Sequence, residues 1–366
     1  MSQTWPRSLL FGILFFCLAV VFFASFKHRD GLKHYGNFGG EHVAETQSLG
    51  DPSDSLAEII HRLYAPYLHP ITALNFTAGT GETYSLSRKP EWDAPLRNQI
   101  VIIDTDSRPF NGTNELLNKT RLDWDKADGL SNGVYGHYLY ATIHGYDYKF
   151  VRTPEFDDRG PCWAKPMAVA DLLKDYRFVI FMDSDTVWRF PEIPLEWLLN
   201  YWNFTKETSV AMALDPAGIG VNYDSFGKLV HNSGFIIAQS NERTKEIFKA
   251  WVECPDGVRY PECKQWANSW SFDQRAFSDH VRYDFNKETD VLDLPCNEAN
   301  GYPESHPGLA GECHGVFVRH HWVQKQRIKP AVVNSIMHVF MERMHDEFLE
   351  GFDRNVLTRQ TNDVIW

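Results

Sequence analysis

The chain has 366 residues, 43% of them hydrophobic and 14% aromatic, which suits one large globular domain or two small ones with appendages. Its formal net charge of −12 at pH 7 argues against a nucleic acid or an anionic membrane surface as ligand. The sequence shows no internal repeat and no long low-complexity tract, which argues against a repeat protein.

An apolar run stands near the N-terminus. Residues 8–26 carry no charged side chain, and a helix of that length spans about 28 Å, close to a bilayer core. A cleaved signal peptide is the alternative, but Ala24 and Ser25, the small residues that could precede a cut, each have phenylalanine two positions earlier. The run therefore predicts an uncleaved transmembrane anchor, with a cytosolic tail over 1–7 and a stem over 27–95.

The basic residues around this run favour an orientation opposite to the one that we predict. Arg7 precedes the run, whereas Lys27, Arg29 and Lys33 follow it, and the positive-inside rule would then leave the C-terminal part in the cytosol. We give this weak imbalance less weight than the features that follow.

Four N-glycosylation sequons and five cysteines lie after the apolar run. The sequons begin at Asn75, Asn111, Asn118 and Asn203. The spacings within Cys254/Cys263 and Cys296/Cys313 suit short-loop disulfides of an oxidising compartment, with reduced core thiols as the alternative. We therefore predict a single-pass type II membrane protein whose domain, over 96–366, lies in the secretory lumen.

Beyond residue 95, short apolar strands alternate with helices. The pattern predicts strands in "NQIVIID", "YKFV" and "RFVIFM", and helices in "SNGVYGHYLYATIHG", with a Ser131 N-cap, and "CWAKPMAVADLLKDY". This alternation predicts an α/β domain with a largely parallel sheet, in which ligands bind beyond the carboxyl ends of the strands.

Further elements are predicted at both ends of this domain. Ser55 and Glu58 form a capping box for a short helix, and the sequence does not decide what that helix packs against. Strands are expected in "VHNSGFIIAQS" and "GVFVRHHW", with Asn241 capping the helix between them. A long amphipathic helix over 333–348 carries a stripe of methionine and phenylalanine that we expect in the core.

The pattern Asp-x-Asp occurs three times, at Asp104/Asp106, Asp123/Asp125 and Asp183/Asp185, whereas chance would give about two in so long and acidic a chain. The first and third pairs end predicted strands, and the second lies in a polar stretch that we expect at the surface. Two carboxylates at the end of a buried strand repel each other, and a hard divalent cation such as Mn²⁺ or Mg²⁺ is their commonest partner.

A metal held in this way would screen the diphosphate of a nucleotide, and basic side chains would complete the site. Lys325, Arg327 and Lys329 follow the strand that carries the two histidines at a suitable distance. The alternative for these three residues is a solvated basic loop.

The order of motifs resembles that of metal-dependent glycosyltransferases with the glycosyltransferase-A fold, a Rossmann-like mixed sheet. The likeness spans roughly 96–345 and is closest to family 34, the yeast α-galactosyl- and mannosyltransferases and plant xyloglucan xylosyltransferases. The motifs are "NGVYGHYLYATIHGYDY", "CWAKPMAVADLLKDYRFVIFMDSDTVW", "HNSGFIIAQSN" and "FDQRAF". The final His-x-x-Gly-Cys segment of the family is not matched, because the chain has "HPGLAGEC" and "RHHW" there.

The resemblance implies a metal and donor site. Asp183 and Asp185 would bind Mn²⁺, or Mg²⁺, together with the diphosphate of a sugar-nucleotide donor. His320 would be the third ligand, with His321 as the alternative, because the two side chains alternate between the faces of the strand and at most one of them can reach the metal. Asp104 would lie near the nucleoside.

The resemblance also implies residues around the transferred sugar. Lys165 and Lys325 would face the donor. Asn232 and Gly234 would line the sugar, and Asp273 and Gln274 would lie beneath the anomeric carbon. Each also has a purely structural interpretation, as a solvated lysine, a residue of a strand-end turn or an acidic residue at a helix N-terminus.

The implied activity is transfer of a hexose or pentose from a sugar nucleotide to a glycan or glycoprotein, with retention of anomeric configuration. The protein would be anchored in the Golgi membrane, in association with other glycosyltransferases. Two alternatives stay open. Residues 183–187 also fit the D-x-D-x-[TV] motif of haloacid-dehalogenase-like phosphatases, although about 80 residues of α/β sequence precede the motif. The chain could also be a catalytically inactive sugar-binding partner subunit.

Overall fold

The computed structural model describes residues 55–303 and 313–358. The predicted anchor over 8–26, the tail over 1–7 and the first half of the stem lie outside these residues. Within them, no helix is both long and apolar enough to cross a membrane.

The described residues contain ten strands. They are β1 (Asn75–Thr77), β2 (Thr83–Ser85), β3 (Ile100–Asp106), β4 (Asp147–Arg152), β5 (Phe178–Met182), β6 (Thr186–Trp188), β7 (Val210–Leu214), β8 (His231–Gln239), β9 (Val291–Leu294) and β10 (Val318–His320).

The same part of the chain contains ten α-helices. They are α1 (Leu56–Tyr64), α2 (Gly129–His144), α3 (Ala164–Leu172), α4 (Leu195–Tyr201), α5 (Glu242–Val252), α6 (Phe272–Ala276), α7 (Arg282–Asp284), α8 (Cys296–Ala299), α9 (Ile328–Glu350) and α10 (Phe352–Asn355). A π-turn over Phe277–Val281 joins α6 to α7. Short 3₁₀ turns precede several of the helices, among them Pro161–Trp163 before α3 and Lys325–Arg327 before α9.

Six strands form a mixed central sheet in the order β4-β3-β5-β8-β7-β9. The first three pair in parallel, β8 runs antiparallel to both β5 and β7, and β9 pairs in parallel with β7. Strand β8 alone therefore runs against the other five strands, so the α/β domain and its largely parallel sheet are as predicted. Loops at the carboxyl ends of β3, β5 and β7 lie on one edge of the sheet, where ligands bind in such folds.

The sheet is buried on both faces. All five residues of β5 are buried, with Ile180 in one hydrophobic cluster and Val179 and Phe181 in the other. Helices α3 and α5 cover the second face, and α2 and α4 contribute to the first. A strand that is buried on both faces has a continuous run of hydrophobic residues, and this run allowed "FVIFM" to be predicted as a strand.

A second, two-stranded sheet joins the sequence after β5 to the late histidine strand. Strand β10 pairs antiparallel with β6, and the register sets His320 opposite Thr186. Because Thr186 directly follows Asp185, this ribbon brings a residue from 135 positions further along the chain beside the carboxylate pair.

Residues 55–95, which were predicted as part of the stem, pack on the domain instead. Helix α1 has the predicted capping box, and the buried Tyr64 ring at its end lies 5.1 Å from the ring of Phe340 on α9. Phe76 of β1 and Trp92 belong to the main hydrophobic cluster. These single aromatic anchors lack a periodic pattern, so the sequence did not reveal them.

Two further expectations are corrected. Helix α2 begins at Gly129 rather than after Ser131, because the Asp128 carboxylate accepts from the Ser131 amide at 3.1 Å and acts as the N-cap. The Met/Phe stripe of α9 is in the core only at its N-terminal end. Met344 and Phe348 are about half exposed, because α9 extends beyond the body that covers its first turns.

Both predicted cysteine pairs are disulfides in the structure. Cys254 bonds to Cys263 and Cys296 to Cys313, and Cys162 is the free cysteine of the described residues. The second bridge holds the start of α8, close to Asn300, against the segment that leads into β10.

Candidate functional site

Asp183 and Asp185 sit on a tight turn between β5 and β6. The Asp183 amide donates to the Gly234 carbonyl at 2.8 Å, which ties the turn to β8. The amide and hydroxyl of Thr186 both donate to the Asp183 carbonyl, each at 2.8 Å. These backbone bonds close the turn and leave both carboxylates free to face the cleft beyond the strand end.

His320 completes a group of three potential metal ligands. Its Nε2 lies 3.3 Å from Asp185 Oδ1 and 3.8 Å from Asp183 Oδ2, and one ligand atom from each residue falls within 4.8 Å of the others. Burial lowers the pKa of His320 to about 4, so the imidazole is neutral, the form that binds metals. Two carboxylates and one imidazole fit a Mn²⁺ ion well and a Mg²⁺ ion less well.

His321, the alternative third ligand, faces away from this group. Its backbone amide donates to the Asp185 carbonyl at 2.9 Å, and its ring stacks on Tyr302 at 4.4 Å. The register of β10 with β6 thus directs His320 to the carboxylates and His321 to the opposite side.

Two lysines compensate the carboxylate pair. Lys165 Nζ donates to Asp183 at 2.9 Å, and Lys325 Nζ contacts Asp185. Burial disfavours the charged form of Lys165, but Asp183 and Asp273 outweigh it and raise the lysine pKa. Burial also opposes ionisation of Asp183, and the adjacent lysine nevertheless holds its pKa below the usual value. Burial lowers the pKa of Lys325 to about 8. Both lysines predicted to face the donor therefore lie at the carboxylates.

The predicted sugar-binding residues converge on a carboxylate that the sequence analysis missed. Buried Asp215 accepts from the side-chain amides of Asn232 and Gln274, each at 2.8 Å, and from that of Asn300 at 3.3 Å. Burial raises the pKa of Asp215, although these amide donors favour its ionised form. Asp215 directly follows β7, as Asp183 follows β5, so recognition of "VAMAL" as a strand would have found it.

Gly234 permits a close approach between β8 and the metal group. A Cβ atom at this position would collide with the His320 ring, so only glycine lets the two strands approach this closely. Its amide donates to Asn232 Oδ1 at 2.9 Å, which orients the side chain that holds Asp215. Gly133 of α2 plays a similar part beneath the turn, where a Cβ would collide with the Ser184 carbonyl.

Asp273 lies at the first turn of α6, beside Lys165. It is 1% exposed, and its Oδ2 atom has no hydrogen-bond partner in the described part of the chain. Burial raises the pKa of Asp273 to about 6, against the opposing effect of Lys165. Its neighbour Gln274 accepts from the Ser233 amide at 3.2 Å while donating to Asp215. Both predicted residues thus lie at the site. Asp273 has a carboxylate oxygen without a hydrogen bond, whereas both ends of the Gln274 amide are hydrogen-bonded.

Two adjoining cavities meet at the carboxylate pair. One, of about 540 Å³, is lined by Asp215, Asn232 and Asp273, and the other, of about 320 Å³, leads towards the end of β3. The residues that line both are Cys162, Lys165, Asp183, Asp185 and Lys325. The metal group therefore stands between a part of the cleft bordered by Asp106 and Arg108 and a part bordered by Asp273.

Asp104, which was predicted to lie near the nucleoside, does not line either cavity. It is buried, His137 Nδ1 lies 3.0 Å from its carboxylate, and the Tyr148 hydroxyl donates to it at 2.8 Å. His137 Nε2 in turn lies 2.9 Å from the Thr186 carbonyl, so this buried chain of contacts fixes the metal-site turn. Asp106, two residues later, borders the cleft and pairs with Arg108.

Comparison with known proteins identifies the class. Residues 143–346, more than half of the chain, match the model of the nucleotide-diphospho-sugar transferase family, and the chain belongs to that family. It is a glycosyltransferase, which confirms the resemblance described above and removes the phosphatase alternative. No curated protein matches the chain significantly.

Several solved structures are distantly similar. One is a glycosyltransferase involved in glycosylation of the major capsid of PBCV-1, at 10% identity and a TM-score of 0.43, covering 64% of this chain and 98% of that one. Mouse xyloside xylosyltransferase 1 is 12% identical, with a TM-score of 0.37 and coverage of 62% and 97%. An active-site mutant of LgtC is 11% identical, with a TM-score of 0.37 and coverage of 64% and 95%. The assignment rests on the family match alone.

The two histidines allow a matched test of the metal group. We expect His320→Ala to lower the affinity for Mn²⁺ by about 10- to 100-fold, because it removes one of three ligands. His321→Ala removes a neighbouring imidazole of the same burial that faces Tyr302, and should leave the affinity essentially unchanged. Mn²⁺ titration followed by electron paramagnetic resonance, with circular dichroism to verify folding, measures both. Equal losses in the two variants would contradict the assignment of His320.

Proposed function

We propose that this glycosyltransferase transfers a hexose or pentose from a sugar nucleotide to a glycan acceptor in the secretory pathway, with a divalent cation and with retention of anomeric configuration. One observation carries the proposal. A group of metal ligands, Asp183, Asp185 and His320, lies in the same cleft as Asp273, a buried carboxylate with an unpartnered oxygen.

The metal group supports the donor half of the proposal. A divalent cation held there would supply positive charge against the diphosphate of the donor. Mn²⁺ is the preferred ion because an imidazole stands beside the two carboxylates. Lys165 and Lys325 reach the same carboxylates and are placed to contact phosphate oxygens once the cation is bound.

The sugar half rests on residues that the donor metal would not touch. Asp215 and Asn232 border the cavity and can hydrogen-bond sugar hydroxyls, while Gln274 holds Asp215 in place. Asp273, buried and poorly solvated, can stabilise the positive charge that develops at the anomeric carbon or attack that carbon as a nucleophile. Either role on the face opposite the leaving group is consistent with retention.

The secretory location rests on the disulfides and the sequons. Two short-loop disulfides suit an oxidising compartment. The asparagines of three sequons, Asn75, Asn111 and Asn203, are exposed, as glycan attachment requires. We extend the proposal to a type II anchor in the Golgi membrane, as expected from the sequence.

Replacement of Asp273 tests the catalytic part. We expect Asp273→Asn to lower sugar transfer by about 10³-fold, because it removes the charge that opposes the developing cation. Nucleoside diphosphate affinity, measured by calorimetry with Mn²⁺, should stay near the wild-type value, since Asp273 acts at the sugar. Asp171→Asn, which neutralises an exposed carboxylate on α3 outside the cleft, is the matched control. Wild-type protein that binds the nucleotide but transfers no sugar would instead favour the inactive partner subunit.

The raised pKa of Asp273 predicts a pH-dependent stability. The pKa of Asp273 in the folded protein, about 6, lies above its ordinary value of 3.8, so protonation favours the folded state, and this contribution is complete below about pH 4. The contribution is lost as the pH rises through about 6. The free energy of unfolding of the metal-free wild type, relative to Asp273→Asn, should therefore fall by up to about 3 kcal/mol between pH 4 and 7. Denaturant titrations across this range measure it, and a parallel pair of curves would contradict the shift.

Glycosidase treatment tests the location. We expect digestion with peptide N-glycosidase to reduce the mass of the full chain expressed in a eukaryotic secretory host, because exposed sequons in the lumen acquire glycans. A chain with the four sequon asparagines replaced by glutamine is the control and should show no shift. An unchanged mass for the wild type would contradict a luminal domain.

A further inference from the structure

The two parts of the cleft differ in chemistry at their borders. Towards β3 the border carries charge, with Asp106 and Arg108 paired at the surface. Beyond Asp273 the border is apolar and aromatic, and it includes Ile219, Val221 and Trp270. Charged side chains can bind the polar groups of a nucleotide, so we expect the nucleotide in the part of the cleft near β3. The part with the apolar border is then available to the molecule that receives the sugar.

Trp270 is the most unusual residue of this border. Its side chain is 68% exposed although it lines the cavity, and among the described residues no aromatic ring packs against it. An exposed tryptophan on a cleft is a common feature of recognition sites, because the indole supplies a large flat surface with few rotamers.

The backbone that carries Trp270 is firmly held. The Phe272 amide donates to the Ser269 carbonyl at 2.7 Å, and the Gly160 amide donates to the Ala267 carbonyl at 2.7 Å. Asn268 Nδ2 donates to the Asp158 carbonyl at 3.1 Å. The indole is therefore presented to solvent by an anchored loop, three residues before Asp273, which is the arrangement of a preformed contact surface.

Other apolar groups stand across the same opening. Val221 is 59% exposed and its carbonyl accepts from Arg275 Nη1 at 3.1 Å, which fixes the loop after β7. Trp322 and Val323 follow the metal ligand His320, and the Trp322 ring lies 5.6 Å from that imidazole. A polar floor that contains Asp215 and Asp273 thus opens outward between apolar walls.

We propose that the indole of Trp270 is an acceptor subsite, on which a pyranose ring of the acceptor stacks while its hydroxyl faces the anomeric carbon of the donor. A pyranose has an apolar face of C–H groups and a rim of hydroxyls, which matches an exposed aromatic plane beside a polar floor. The inference rests on the proposed sugar transfer and deepens it, since it names the residue that would hold a sugar ring of the glycan acceptor.

Kinetics of the purified full chain test the subsite. We expect Trp270→Ala to raise the KM for a glycoside acceptor by about 10-fold or more, with a smaller change in kcat, because the lost contact is to the acceptor. Trp270→Phe keeps a smaller ring and should recover part of the loss. Phe226→Ala, which removes an equally exposed aromatic side chain outside the cleft, should behave as the wild type. An unchanged acceptor KM in Trp270→Ala would overturn the proposal.

Saturation-transfer NMR on the wild type gives a second test that does not depend on turnover or on the folding of a variant. The probes are methyl β-galactopyranoside, methyl α-mannopyranoside and methyl β-xylopyranoside, with Mg²⁺ and uridine or guanosine diphosphate present. Irradiation of aromatic protons should saturate C–H protons on one ring face of at least one probe, and Trp270→Phe should weaken that signal.

The outcomes separate the two proposals. Wild-type protein that hydrolyses no sugar nucleotide but shows one-face saturation would refute the proposed transfer and support carbohydrate binding at Trp270. Absence of saturation from every glycoside would overturn the subsite, as would transfer to a hydroxyl-containing peptide with all three glycosides left unmodified.

Discussion

The central constraint on this molecule is the repulsion between Asp183 and Asp185 at the end of a strand that is buried on both faces. Ionisation of both carboxylates in a partly desolvated turn has a high free-energy cost unless compensating positive charge lies nearby. Lys165 and Lys325 provide that charge, one to each carboxylate. Asp183, Asp185 and His320 would hold a divalent cation, which would supply further positive charge at the same place. The two lysines would then be near enough to contact the phosphate oxygens of a donor.

The fold brings the parts of this site together from distant segments. The antiparallel ribbon of β6 and β10 supplies His320, and β8 supplies Asn232 beside a glycine that permits close contact. Helix α6 supplies Asp273. Asn300 links two of these parts, because its amide donates to Asp215 and its Oδ1 lies 3.2 Å from His320 Nδ1. The three potential metal ligands and the amide groups around Asp215 therefore share one hydrogen-bonded frame, and displacement of either set would disturb the other.

Features that are encoded by a local pattern could be predicted from the sequence. Features that depend on a contact with a distant segment could not. A carboxylate pair after an apolar run and cysteines at short spacing are local patterns, and both were found. The choice between His320 and His321 depends on the register of β10 with β6, which no single segment encodes. The burial of Asp104 was not predicted for the same reason, since its carboxylate contacts His137 of α2, which is distant in the sequence. Asp215 was missed because the strand before it was not recognised.

Under the proposed function, the burial of Asp273 would serve catalysis at a cost in stability. A buried carboxylate oxygen without a hydrogen-bond partner disfavours folding by about 1–3 kcal/mol. The surrounding frame tolerates this cost, since Lys165 lies nearby and the Asp273 carbonyl accepts from Trp251 Nε1 at 2.8 Å, which fixes the backbone. The low local dielectric that raises the pKa of Asp273 also strengthens its attraction for a positive charge that forms beside it. A hydrogen bond to the free oxygen would stabilise the resting carboxylate and weaken that attraction. A buried oxygen without such a bond therefore suits the role proposed for Asp273 at the anomeric carbon.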